Sequence, residues 1–174
     1  MPNDDVVRGL IPLNRNINYA HYYRASTASD IFIGDSVLLN ASGLVGVSSA
    51  ATIGVEQLIG VVVGFSGPNK AGLATEDPYL DASDLTTLAA GLPIGDRYIL
   101  VADDPNQEFY IQEDTGGTAM ALADIGTSVD SLYRGADGSA VTGNTDTGRV
   151  TMELDASSVA VSTAGMFTVL RLHD

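Results

Sequence analysis

The chain has 174 residues, 22 of them acidic against 8 basic, for a formal net charge of −14, and it contains no cysteine. That length suits one domain with its own core, and the missing thiols exclude disulfides, thiolate metal sites and cysteine nucleophiles. Neither nucleic acid nor an anionic membrane is an expected partner, since both are bound through a surplus of Lys and Arg.

Hydrophobic residues make up 45% of the chain and aromatics only 6%, with no Trp, so the core must be assembled from Val, Leu, Ile and Ala. Nineteen Gly, with abundant Ser, Thr, Asp and Asn, supply frequent chain reversals. The expected fold is all-β: a compact β-barrel or β-sandwich over residues 31–174, with one or two short helices and an extended N-terminal arm over residues 1–30. No apolar run follows a basic segment, and no window reaches the length of a membrane span. A soluble protein without a conventional export signal is expected.

The first thirty residues are set apart by charge. Arg8, Arg15 and Arg24 balance Asp4, Asp5 and Asp30, so the whole of the −14 falls on residues 31–174. Pro2, Gly9 and Pro12 interrupt any periodicity, yet Leu10, Ile11, Leu13, Ile17, Tyr19, Tyr22 and Tyr23 make the segment too apolar for a solvated tail. It is expected either to lie across its own domain or to dock on another subunit. In the docking case Arg15, Tyr19, Tyr22, Tyr23 and Arg24 are the candidate anchors, because interfaces favour Tyr and Arg.

Residues 31–65 read as a sheet-forming block. Ile31-Phe32-Ile33 passes through Gly34-Asp35 into Val37-Leu38-Leu39, Asn40-Ala41-Ser42-Gly43 makes a turn, and Leu44-Val45-Gly46-Val47 returns. Leu58–Phe65, LIGVVVGF, is the most apolar strand, and its Gly60 and Gly64 predict a bulge, a bend or a close backbone approach. No GxxxxGK[ST] or GxGxxG precedes a helix, so a phosphate loop is not supported. A loop follows over residues 66–80 and carries the chain's single lysine, Lys70.

Short helices are expected over Asp81–Gly91, which has an N-cap candidate and a Gly stop, and over Thr118–Gly126. Between them, Arg97–Asp114 reads as a β-hairpin. Tyr98–Val101 is a continuous apolar run, Glu108, Tyr110 and Gln112 alternate with Phe109 and Ile111, and Asp103-Asp104-Pro105-Asn106 supplies the turn. Later, Asp137-Gly138 and Thr142-Gly143-Asn144 are turn candidates, Arg149–Leu154 alternates, and Met166–Leu172 is expected to close the chain as a strand inside a sheet.

A search for chemistry finds little. His21 and His173 have no neighbour at ligand spacing, and neither GxSxG nor HExxH occurs. Asp103-Asp104 and Glu113-Asp114 provide carboxylates at the ends of one predicted hairpin, but opposed acids across a glycosidase cleft are usually joined by aromatic sugar platforms, and Trp is absent. Asp137-Gly138 and Asn144-Thr145-Asp146 are oxygen-rich enough to weigh calcium, without an EF-hand pattern. The expectation is a protein that is not an enzyme and has no cofactor.

The succession GDSVLLNASGLVGV, LIGVVVGF, IGDRYILVADDPNQEFYIQED, a short Ala-rich stretch with ADIG, TGNTDTGRVTMELDASSVA and MFTVLRL, covering Gly34 to Leu172, resembles the head decoration, or capsid cement, proteins of tailed bacteriophages. The resemblance implies a β-rich structural protein on the outer surface of the virion, commonly a homotrimer. Each copy would bridge several major capsid protein subunits and brace the shell through many simultaneous contacts. The alternative is a glycan- or receptor-binding module of a phage tail or fibre, with Gly/Ser/Thr/Asp loops presenting hydrogen-bonding groups.

Overall fold

Leu58–Ser66, the longest apolar run, lies inside the main sheet of the protein. The computed structural model describes residues 9–13, 20–24, 30–41, 43–48, 58–66, 79–80, 98–114, 119–133, 143–144, 146–159 and 167–172. In chain order the strands are β1 (Ile11–Pro12), β2 (Ala20–Arg24), β3 (Ser36–Leu39), β4 (Val45–Val47), β5 (Leu58–Ser66), β6 (Tyr98–Ala102), β7 (Phe109–Tyr110), β8 (Ser128–Val129), β9 (Ser131–Tyr133), β10 (Gly143–Asn144), β11 (Arg149–Val150), β12 (Met152–Leu154) and β13 (Phe167–Thr168). The described secondary structure is almost entirely β, and the pairings between described strands are antiparallel, with isolated parallel bridges at Ile33–Arg149 and Glu113–Leu154.

The main sheet has the order β2-β6-β5-β3-β4, and four two-stranded ladders, β1-β7, β8-β13, β9-β12 and β10-β11, complete the described pairings. Val61 and Val62, consecutive on β5, enter different apolar clusters, as the pleat of a strand buried on both faces requires. Val62 joins Ile31, Val37, Val45, Leu80, Ile99 and Val101. Val61 joins Leu10, Phe32, Val150 and Met152, with Tyr79, Phe109, Ile111 and Phe167 packed around them. The short ladders thus contribute the second core, where each fully buried aliphatic side chain is worth about 1.5–3 kcal/mol.

The glycines of β5 serve two purposes. A Cβ on Gly60 would overlap the carbonyl oxygen of Ala102, so β6 can approach only a bare α-carbon there. The register against β6 shifts between Val62 and Gly64, and that against β3 shifts between Val37 and Leu38. Of the bulge, bend or close approach expected here, the close approach is present at Gly60, and the pairing with β6 is irregular between Val62 and Gly64.

The early block folds as read. β3 and β4 form a hairpin in the register Val37–Val47, Leu38–Gly46 and Leu39–Val45, closed by Asn40, whose Oδ1 accepts from the Leu44 amide at 3.0 Å, and by Gly43 at φ +73°.

Four expectations need revision or refinement. The predicted hairpin at Arg97–Asp114 is a strand, a turn and a strand whose two arms never pair. β6 sits between β2 and β5, while β7 pairs with β1. The turn itself is as expected: Gln107 N–H donates to Asp104 O at 3.0 Å with Pro105 in the second position, and Asp104 Oδ1 accepts from Asn106 N–H at 2.8 Å. Local pattern specified the turn, and the stronger partners for each arm came from elsewhere in the chain.

The helix expected over Thr118–Gly126 contracts to one 3-10 turn, Leu122–Asp124, ended by Gly126 at φ +89°. Arg149–Leu154 divides between two ladders, and its alternation breaks at Glu153, which is buried. Among the described residues the closing strand is not inside a larger sheet: β13 pairs there only with the two residues of β8. The helix expected at Asp81–Gly91 and the loop residue Lys70 lie outside the described residues.

The N-terminal segment enters the domain wherever it is described. Leu10 is buried in the second core, Leu10 N–H donates to Gly34 O at 3.2 Å, Leu13 N–H donates to Glu108 O at 3.0 Å, and β2 forms a five-residue ladder with β6.

Candidate partner-binding site

Of the five proposed anchors, Arg15 and Tyr19 lie outside the described residues. Tyr22, Tyr23 and Arg24 fall on β2, opposite Leu100, Ile99 and Tyr98 respectively. Among the described residues β2 pairs only with β6, so these three positions lie on an outer strand of the main sheet. An outer strand carries backbone donors and acceptors that face away from the sheet, which is the usual place for another chain to be met. His21 shares the strand, opposite Val101, and His173 lies outside the described residues.

Three of the four acidic side chains that sequence reading offered for catalysis, those of Asp104, Glu113 and Asp114, are occupied by the backbone. Asp104 Oδ1 caps its own turn, Glu113 Oε2 accepts from Met120 N–H at 2.9 Å, and Asp114 Oδ1 accepts from Ala156 N–H at 3.0 Å. The same use recurs at Asp35, Asp124 and Asp155, which accept from the amides of Phe32, Ala121 and Ser157. Each of these bonds satisfies a donor that turns leave without a ladder partner. Six of the described carboxylates are therefore part of how the loops are folded, a role that composition alone does not reveal.

The oxygen-rich loop weighed for calcium behaves in the same way. Asn144 Oδ1 accepts from both Asp146 N–H at 2.9 Å and Thr147 N–H at 3.0 Å, and Gly148 at φ +66° completes the reversal from β10 to β11. No group of three or more His, Cys, Asp or Glu side chains among the described residues is placed to hold a metal ion. Asp137-Gly138 lies outside them.

Sequence reading missed three exposed apolar side chains. Leu122 is 79% exposed, Leu170 59% and Ile125 42%. The Leu122–Asp124 turn hands Ile125 to Gly126, whose N–H donates to Val169 O at 2.8 Å, so Ile125 and Leu170 flank one ladder. The signal was present in MFTVLRL: Phe167 and Val169 face inward, and Thr168 and Leu170 fall on the outward alternation.

Comparison with protein-family models, with curated proteins and with solved structures gives no match.

Proposed function

We propose that the chain is a capsid cement protein of a tailed bacteriophage, bound to the outer surface of the head as a homotrimer and bracing contacts between major capsid protein subunits. The observation that carries this reading is the placement of the neutral, Tyr- and Arg-bearing N-terminal segment. It supplies an outer strand, β2, to the main sheet of an otherwise acidic domain. An acidic body with one neutral aromatic border suits a protein that is crowded on a particle yet adheres along a single edge. The extensive use of carboxylates as loop caps is consistent with a mechanical role.

In this reading the domain is a sandwich. The short ladders lie against the second face of the main sheet, and β2 and β4, its outer strands among the described residues, are not paired with each other.

The test is binding of purified protein to shells of the major capsid protein, measured by co-sedimentation. Substituting Tyr22→Ser together with Arg24→Ser should weaken binding while leaving the β-sheet circular dichroism unchanged. Deleting residues 1–30 is the poorer experiment, because it removes two strands and Leu10 from the fold. Unimpaired binding of the double variant would defeat the anchor assignment. A copy number far below that of the major capsid protein in purified virions would defeat the cement reading itself, and a monomeric native mass at micromolar concentration would defeat the homotrimer.

A further inference from the structure

The turn Ile31–Asp35 is held by parts of the chain that are far apart in sequence. Gly34 O accepts from Leu10 N–H at 3.2 Å, while Gly34 N–H donates to Val62 O and Asp35 O accepts from Val62 N–H, each at 2.9 Å. Ile33 N–H donates to Gly148 O at 3.0 Å and Ile33 O accepts from Val150 N–H at 3.2 Å, so the same turn grips the end of the β10-β11 reversal. Ile31 exchanges both of its backbone bonds with Leu80, each at 2.8 Å. The shape of the turn is set from within: Gly34 adopts φ +95°, and the buried Asp35 carboxylate accepts the Phe32 amide at 2.7 Å.

Packing leaves little slack between these attachments. A Cβ on Gly143 would overlap the Phe32 ring, which is stacked on Tyr79 with centroids 4.8 Å apart, and a Cβ on Gly9 would overlap Val150 Cγ1. Leu10 and Phe32 share the second core with Val150. An interior this dense transmits a displacement instead of absorbing it. Its two ends differ in access: Asn144, Asp146 and Thr147 are exposed at the tip of the β10-β11 reversal, whereas Leu10 is buried.

We infer that Ile31–Asp35 is a conformational relay between the exposed β10-β11 turn and the N-terminal segment at Gly9–Leu13, which runs on in sequence toward β2. Distorting the turn loosens Gly148 and Val150 from Ile33, and through the same turn loosens Gly34 from Leu10. A partner that grips the turn therefore changes how firmly the segment is held. The coupling is reciprocal, so releasing Leu10 loosens the turn. This inference goes beyond the cement reading and does not depend on it.

The experiment is amide hydrogen exchange on the full chain, read residue by residue under native conditions. Asn144→Ala removes the acceptor of the Asp146 and Thr147 amides. Expected is exchange at least ~threefold faster at Leu10 and at Leu13, whose amide is bonded to Glu108, with no change at Gly126 and Val169 on the β8-β13 end. Asp155→Ala strips the cap from Ser157 and serves as the control for a general loss of stability. Unchanged exchange at Leu10 in Asn144→Ala overturns the relay, and so does equal acceleration of Leu10 in both variants, which would mean global opening. The converse variant, Leu10→Ala, should speed exchange at Ile33 and Gly148 more than at Gly126 and Val169. Uniform acceleration there overturns the relay even where Asn144→Ala fails to fold.

Discussion

Asp114 and Ala156 are joined across the fold: the buried carboxylate accepts the Ala156 amide at 3.0 Å and so fixes the start of the 3-10 turn Ala156–Ser158 to the end of the segment after β7. Removing the acceptor strands a buried donor, which costs about 1–3 kcal/mol. Asp114→Ala should lower unfolding stability by that amount in urea titrations, and Asp114→Asn, which keeps a carbonyl oxygen, should lose less. Equal stability of the wild type and the alanine variant would show that the bond contributes nothing net.

The two glycines of β5 should respond oppositely to the same change. Gly60→Ala drives a methyl group into the Ala102 carbonyl, a backbone atom that cannot step aside, and should destabilise by about 1–3 kcal/mol or more. At Gly64 the nearest atoms are Leu100 Cβ at 3.7 Å and Cδ2 at 3.8 Å, ordinary packing distances. Gly64→Ala should be neutral or stabilising by a few tenths to ~1 kcal/mol, through lower entropy of the unfolded chain. Thermal melts of the pair decide the matter, and identical behaviour would contradict the close approach at Gly60.

Leu10 tests whether the N-terminal segment is structural. Its side chain is 3% exposed against Phe32, Val61, Val150 and Met152, so Leu10→Ala should cost about 2–5 kcal/mol. A change below ~0.5 kcal/mol would mean that the segment contributes little to the fold.

Asn144 offers a check on the turn that joins β10 to β11. Its Oδ1 holds two backbone amides, and Asn144→Ala should cost about 1 kcal/mol, while Asn144→Asp should retain most of the stability. Because that oxygen is already engaged, millimolar calcium should leave the thermal midpoint of the wild type unchanged. A calcium-dependent rise would restore the metal reading.

Local chemistry was legible in the sequence and long-range pairing was not. Asn40 with Gly43, Pro105 after Asp104, and Gly126 each announced a reversal through conformational preferences that act within four residues, and each reversal is present. The partners of β6 and β7 were not announced, because period-two patterning says which face of a strand is apolar and is silent on what lies beside it. The candidate site was readable only as a contrast in charge and aromatic content. That contrast led to β2, while the exposure of Leu122, Ile125 and Leu170 is visible only in the folded chain. The loop carboxylates misled for a related reason: Asp114 and Glu113 look like surplus charge until the amides of Ala156 and Met120 are seen to approach them.

The interleaving of β1 with β7 and of β2 with β6 sets a schedule for biosynthesis. Ile11 and Tyr22 leave the ribosome long before Tyr110 and Leu100, the residues they must lie beside. Until then an aromatic, β-prone stretch has no native partner. Such delayed pairing slows folding and lengthens the interval in which strand edges can join the wrong chain. A nascent chain of this protein is therefore a natural client for a holdase, and its yield should depend on translation rate and chaperone supply more than its finished stability would imply.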